Sequence, residues 1–290
     1  MGTAPLKQNF QDWITQQWVI LFGKKINPKQ NKWLIGPFGK TNGIGKRFIN
    51  QLVENEHLEI NHRETNKGLL QSINQLNISE KEQNRLSKSV IDFYENTSAY
   101  HLDLTVKWNP FFRIFGVLLK ILFSNRIEQL NVPMDNSTSS KELKSEVIQL
   151  IDKKTKKVKR TIWLRTFINS KQVVYSGVYE TCTIPSGQSC IKAVFPLPNG
   201  NATVILNPIV GEKGELILKS SGRKFGDSGF YFLLKDSKGN LWAKFIKSFK
   251  DELVVFSKKN SITAKQTLSL WSLRVLTFEY EINKTTYNNV

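Results

Sequence analysis

From residue 145 to the end of the chain, apolar and polar residues alternate in short runs broken by turn residues. EVIQLID and KRTIWLRTF flank residues 153–157, and QVVYSGVYETCTI and SCIKAVFPL flank Pro185-Ser186-Gly187. Asn199-Gly200 separates SCIKAVFPL from NATVILNPIV, the strongest hairpin signal in the chain, with Pro198 beside it. GELILKSSG, FYFLLKD, LWAKFIKSF, ELVVFSK, QTLSLWS and LTFEYEI follow. A period of two bounded by turns reads as strand, and runs at this spacing read as a meandering antiparallel barrel or strongly curved sheet.

Before the meander the pattern changes twice. Tyr100, Leu102, Leu104 and Val106 alternate with His101, Asp103, Thr105 and Lys107, which predicts one more strand. Trp108-Asn109-Pro110 breaks it, and residues 111–130 then follow a helical period. Arg113, Lys120, Ser124 and Glu128 fall on one narrow stripe, so this helix is apolar around most of its circumference, and Arg126 stands alone on the apolar side. Four charges argue against a membrane span. Upstream, Phe10, Trp13, Ile14, Trp18 and Phe22 recur at helical spacing. Ile44, Phe48 and Leu52 line a second helix, and Ser79 with Glu82 marks the capped start of a third.

The pattern divides the chain into a helical N-terminal region over residues 1–95, a strand with the central apolar helix over 96–140, a barrel-like sheet over 141–285 and a tail over 286–290. The fold class is α+β. With 290 residues, 40% of them apolar, the chain can bury a full core.

Charge adds a preference for partners. Lys and Arg number 42 against 24 Asp and Glu, and 25 of the 42 lie after residue 140 with only 12 of the 24. The excess therefore belongs to the β-rich half. It favours an anionic membrane surface, nucleic acid or anionic ligands, although a Lys-rich composition alone would produce the same excess. Nucleic acid ranks lowest, because the cations are spread along a meander and no binding module is legible. Two cysteines make no disulfide framework, and no secretory signal opens the sequence, so the expectation is a cytoplasmic protein with reduced thiols.

Catalytic motifs are sparse. Residues 39–47, GKTNGIGKR, echo a phosphate-binding loop, but Lys40 stands where its first glycine belongs and Arg47 replaces the Ser/Thr. His101 and Asp103 share a strand face without a nucleophile nearby in sequence. No metal-ligand spacing occurs, and no cofactor is called for. Cys182 and Cys190 flank a hairpin and read as buried thiols. The loop 221–229, with Arg223 and Lys224, reads as a strand connection or a basic rim at a barrel mouth.

The remaining candidates are cations among aromatics. Arg165 shares a strand face with Trp163 and Phe167, and Lys244 lies between Trp242 and Ile246 in the same sense. With Arg126, they could hold a carboxylate or phosphate head group if they face a lumen, since a buried cation demands a partner. Packed along rings on an outer face, they would be structural.

FYENTSAYHLDLTVKWNPFFRIFGVLLKILFSNRIEQLNVP, VFPLPNGNATVILNP and GRKFGDSGFYFLL resemble a group of bacterial hypothetical proteins of similar length. That resemblance implies no activity and transfers no site residue. The order of apolar helix, strand and meander is also similar to lipocalin-like or START-like barrels of unknown function. The resulting expectation is a non-enzymatic binder of a lipid-like or isoprenoid-like molecule in a barrel, through Arg126, Arg165, Lys244, Trp163 and Trp242. A peripheral membrane or interaction protein with a basic β surface comes second, and an enzyme acting on a hydrophobic substrate in the same cavity third. The sequence does not show an oligomeric state.

Overall fold

A computed structural model describes residues 2–5, 10–39, 46–62, 67–112, 141–259 and 261–285. The alternating runs form strands β3 (Tyr100–Trp108), β4 (Lys141–Asp152), β5 (Val158–Phe167), β6 (Val173–Thr183), β7 (Ser189–Leu197) and β8 (Gly200–Val210). After them come β9 (Leu216–Lys219), β10 (Gly229–Lys235), β11 (Leu241–Phe245), β12 (Phe249–Lys258), β13 (Ser261–Leu270) and β14 (Leu273–Lys284). Ten of these close a ring, in the order β8, β7, β6, β5, β4, β3, β14, β13, β12, β9 and back to β8, all antiparallel. Closure removes the exposed sheet edges that an open meander would leave.

The ring closes on a shared edge. One edge of β8 bonds two strands in succession: residues 200–205 pair with β10, and 207–210 pair with β9. β10 and β11 therefore peel away from the barrel as a fork. Phe230 of β10 and Phe249 of β12 stack with centroids 4.8 Å apart across the gap.

Among its described residues the N-terminal region holds four α-helices, α1 (Phe10–Phe22), α2 (Lys46–Asn55), α3 (Glu80–Arg85) and α4 (Lys88–Glu95), and also joins the sheet. β1 (Lys24–Ile26) extends the fork by pairing with β11, and β2 (Leu58–Ile60) pairs with β4. Both strands are three residues long, too short for a period to reveal. α2 lays Phe48, Ile49 and Leu52 on the outer barrel wall against Leu150, Ile162, Val178 and Val194. α3 carries the expected cap: the Glu82 amide donates to Ser79 Oγ, and the Ser79 amide donates back to Glu82 Oε2 at 3.1 Å. Residues 69–94 close one mouth of the barrel, where Leu70, Phe93 and Tyr94 join the lumen core formed by Leu102, Leu104, Trp163, Phe278 and their neighbours.

Three expectations change. Of the expected stripe through Phe10, Trp13, Ile14, Trp18 and Phe22, only Trp13 packs, half-buried against the side formed by Gln16, Val19 and Ile20, while Phe10, Ile14, Trp18 and Phe22 face solvent. The helix is apolar on two sides, so periodicity alone does not select the one that packs. Trp271, expected within a strand, stands in the β13–β14 turn with Ser272, both at positive φ. LWAKFIKSF is not one strand, because β11 ends at Phe245 and β12 begins at Phe249. The central apolar helix and Arg126 lie outside the described residues, as does most of the glycine-rich loop over 39–47.

An ionic chain fastens α2 and the N-terminal loop to the barrel. Arg160 makes a two-pronged bond to Glu56, at 3.0 and 3.1 Å, and a third to Glu180 at 3.2 Å. Glu180 also meets Lys192 at 3.0 Å, and the Lys192 ammonium donates to the Ile35 carbonyl at 2.8 Å. Removing one member strands the others in a partly buried site, so Arg160→Ala is expected to lower stability in urea by about 1–3 kcal/mol. A loss below a few tenths of a kcal/mol would show that the chain contributes only surface pairs.

Candidate functional site

Inside the barrel, next to the residues that close its mouth, is a partly enclosed cavity of about 80 Å³. Its chemistry comes from four strands. On β5 the inward positions are Trp163, Arg165 and Phe167, the parity read from the sequence. On β6 the inward residues include Tyr175, Gly177 and Tyr179. A side chain on Gly177 would meet Phe195 at 3.0 Å and Tyr179 at 3.2 Å, so glycine leaves room for the rings. β14 adds Tyr280, and β12 adds Asp251.

Arg165 is 5% exposed. Its guanidinium carbon lies 4.3 Å from the Trp163 ring centre, 4.5 Å from Tyr175 and 5.5 Å from Tyr280. One terminal nitrogen donates to the Tyr280 hydroxyl at 3.1 Å. Its Nε is buried and bonds to nothing among the described residues, and none of their carboxylates lies within ion-pair distance of the guanidinium. Aromatic faces and the neutral hydroxyls of Tyr280 and Tyr179 solvate the cation in part, but burial of an ion ordinarily requires a charged partner as well. The Trp163 indole donates to Ser145 Oγ at 2.8 Å, which fixes the ring beneath the guanidinium.

Two acids line the cavity: Glu180, which is paired with Arg160 and Lys192, and Asp251. Burial pushes its carboxyl up to about 7, against the opposing pull of the Gln266 amide, which donates to both oxygens at 3.0 and 2.8 Å. Its backbone exchanges hydrogen bonds with Ser220. Burial also raises Tyr175, Tyr179 and Tyr280 above the usual phenol range; the charge on Arg165 opposes this in all three, in Tyr175 after the repulsion of Tyr280. The phenols stay protonated. The site can therefore donate hydrogen bonds from Arg165 and the tyrosines, and its acid switches charge near neutral pH.

The other candidates do not reach this cavity. Lys244 lies on β11 in the fork, where its ammonium donates to the Phe22 carbonyl at 2.7 Å and complements the C-terminal end of the α1 dipole. Trp242, on the same strand, donates to Asp236 Oδ2 at 3.0 Å beside α1. Both follow the parity read from the sequence, but the strand belongs to the fork and its faces do not see the lumen. Arg126 lies outside the described residues. His101 and Asp103 form a half-exposed pair at 3.4 Å on the outer wall. Cys182 and Cys190 are register partners with free thiols, which burial pushes up to about 11 and about 12. Asp251, Tyr175, Tyr179 and Tyr280 were not singled out from the sequence. Their parity was legible, since Asp251 alternates in step with Leu253 and Val255, and Tyr280 with Phe278 and Ile282.

Over 268 residues the chain is 27% identical to an uncharacterized membrane protein of Bacillus subtilis (strain 168), YndJ. The match covers 91% of this chain but 46% of that protein, so the chain spans about half the length of its relative. No family model matches the chain, and no solved structure matches it significantly. The cytoplasmic location expected from the sequence is corrected by this likeness, because the relative is named as a membrane protein. Among the described residues no helix is long and apolar enough to cross a membrane, which leaves strands untested.

The raised Asp251 carboxyl makes stability depend on pH in a defined direction. Between its unfolded value near 4 and its folded value near 7, the folded state holds the extra proton, so stability falls as pH rises through that window and levels off above it. Asp251→Asn removes the penalty. The variant should match the parent at pH 4 and exceed it at pH 8, by at most about 4 kcal/mol, when urea midpoints are compared. A variant equally or less stable at pH 8 would show that ionised Asp251 is well solvated.

Proposed function

We propose that the barrel is a binding module. In this reading its lumen takes one small molecule with an anionic head, a carboxylate above all, and an apolar remainder, and Arg165 holds the head. The observation that carries the reading is the buried guanidinium with an unsatisfied Nε on the wall of a partly enclosed, mostly apolar cavity. A carboxylate would supply both the missing acceptor and the missing charge. The lining of Leu102, Leu206, Leu218 and Val255 suits a hydrocarbon.

Size limits the ligand. A cavity of about 80 Å³ is smaller than the ~150 Å³ that takes benzene, and far below the ~300 Å³ at which drug-sized sites begin. The barrel as it stands admits a head group and a few carbons. A longer acyl or isoprenoid tail requires residues 69–94 to move off the mouth, and Phe93 is the residue there that meets Trp163 edge-on. The membrane assignment of the Bacillus relative supports a lipid-derived source for such a molecule.

Native mass spectrometry and calorimetry with linear carboxylic acids of increasing length test the reading. One acid should bind per chain, and Arg165→Met should weaken it by about tenfold to a hundredfold, the value of a charge-assisted bond. Affinity should also fall as pH rises through about 7, because ionised Asp251 then competes for the field of Arg165. Equal binding by Arg165→Met, or an absence of binding at every chain length, would overturn it.

A further inference from the structure

The solvent side of α1 has no counterpart elsewhere on the described surface. Phe10 is 72% exposed, Phe22 62%, and Ile14, Trp18 and Leu21 lie between 39% and 49%. The β13–β14 turn adds Trp271 at 71% and Leu273 at 58%. Isolated exposed apolar residues need no explanation, but a contiguous aromatic patch marks an interaction surface.

An open hollow joins the two parts. Trp18 and Trp271 both line it, together with Arg223, Lys244, Lys247 and Lys250, and no acidic residue is among the lining. Several cations on the outer wall meet carboxylates, among them Arg160 with Glu56, Lys107 with Glu279 and Lys219 with Glu252. Arg223, Lys247 and Lys250 have no carboxylate partner among the described residues. The hollow therefore gathers positive charge and two indoles in one lining without an acid.

The turn adds an independent observation. Trp271 and Ser272 hold φ of 49° and 66°, the left-handed region that hairpin turns normally give to Asn and Gly. A bulky residue there is disfavoured by its backbone and, at this exposure, by water as well. Backbone cost retained at a surface position points to a use for it. An indole at the boundary of water and hydrocarbon is favoured, and cations beside it gain from acidic head groups.

We infer that α1 and the β13–β14 turn form a docking face for the surface of an anionic lipid bilayer. The indoles of Trp18 and Trp271 sit at the head-group level, Phe10, Ile14, Leu21 and Phe22 enter the acyl boundary, and Arg223, Lys247 and Lys250 meet lipid phosphates. The face lies outside the lumen and does not depend on a ligand at Arg165.

Flotation with phosphatidylcholine vesicles, with and without phosphatidylglycerol, tests this, run beside circular dichroism of each variant to confirm folding. The parent should float only with the anionic lipid and be released by salt. Lys247→Glu with Lys250→Glu should weaken binding by roughly 30-fold or more, from about a tenfold loss per 1.4 kcal/mol and about 1 kcal/mol per cation. Lys154→Glu with Lys157→Glu, in the β4–β5 turn at the opposite mouth, should leave it within a few-fold. Trp271→Ser should reduce flotation and the blue shift of tryptophan emission. Equal loss from both charge pairs would reduce the effect to net charge and overturn the proposal, as would no flotation. A photo-cross-linker at position 271 identifies the occupant directly. Labelled lipid supports the docking face, whereas labelled residues 113–140 of the same chain, or a second copy of it, overturns it.

Discussion

A guanidinium in the interior of an apolar barrel constrains everything around it. Arg165 cannot lose its proton, so the lumen has to solvate a permanent charge without water in bulk. Three features of the structure follow from that need. Trp163, Tyr175 and Tyr280 present ring faces or a hydroxyl to the cation. Gly177 clears space for the rings opposite Trp163. The core is otherwise filled by aliphatic and further aromatic residues, which keep competing water out and strengthen whatever electrostatic contact the cation makes. The cage leaves Nε without an acceptor, and the neighbouring acid, Asp251, is held largely as the neutral form below pH 7 by its own burial. Below about pH 7 the lumen therefore carries a positive charge without a charged partner among the described residues.

That charge sits in a scaffold suited to holding it still. Ten strands close on themselves, so each inward position is fixed by register on both sides, and residues 69–94 seal one mouth. The N-terminal region is stitched to the same sheet by β1, β2 and the chain of Glu56, Arg160, Glu180 and Lys192. Rigidity of this kind preorganises a site, because the cost of orienting Arg165 and its aromatic neighbours is met in folding and not again in binding.

The barrel was legible in the sequence because strand alternation is a local signal that repeats along the chain. It placed Trp163, Arg165 and Phe167 on one face, and that face is the lumen. The same parity placed Lys244 with Trp242 and Ile246, yet β11 belongs to the fork, and parity says which residues share a face but not what the face meets. Which side of α1 packs was hidden for a similar reason, since Val19 and Ile20 are no more apolar than Ile14 and Trp18. β1 and β2 are too short to show a period. Asp251 had the right parity, but a lone acid in a strand reads as solvent-facing until tertiary contacts show Leu253 and Val255 pointing inward with it. The partner that Arg165 lacks could be asked about from sequence and answered only in three dimensions.

The most direct test observes the Arg165 side chain itself. In a ¹⁵N-labelled protein, the Nε–H resonance of Arg165, assigned by its loss in Arg165→Met, should move and exchange more slowly with water when a short linear carboxylic acid is added at pH 6. A resonance unmoved by any carboxylate, in a protein whose fold is intact, would mean that the aromatic cage alone satisfies the cation and that the lumen is structural.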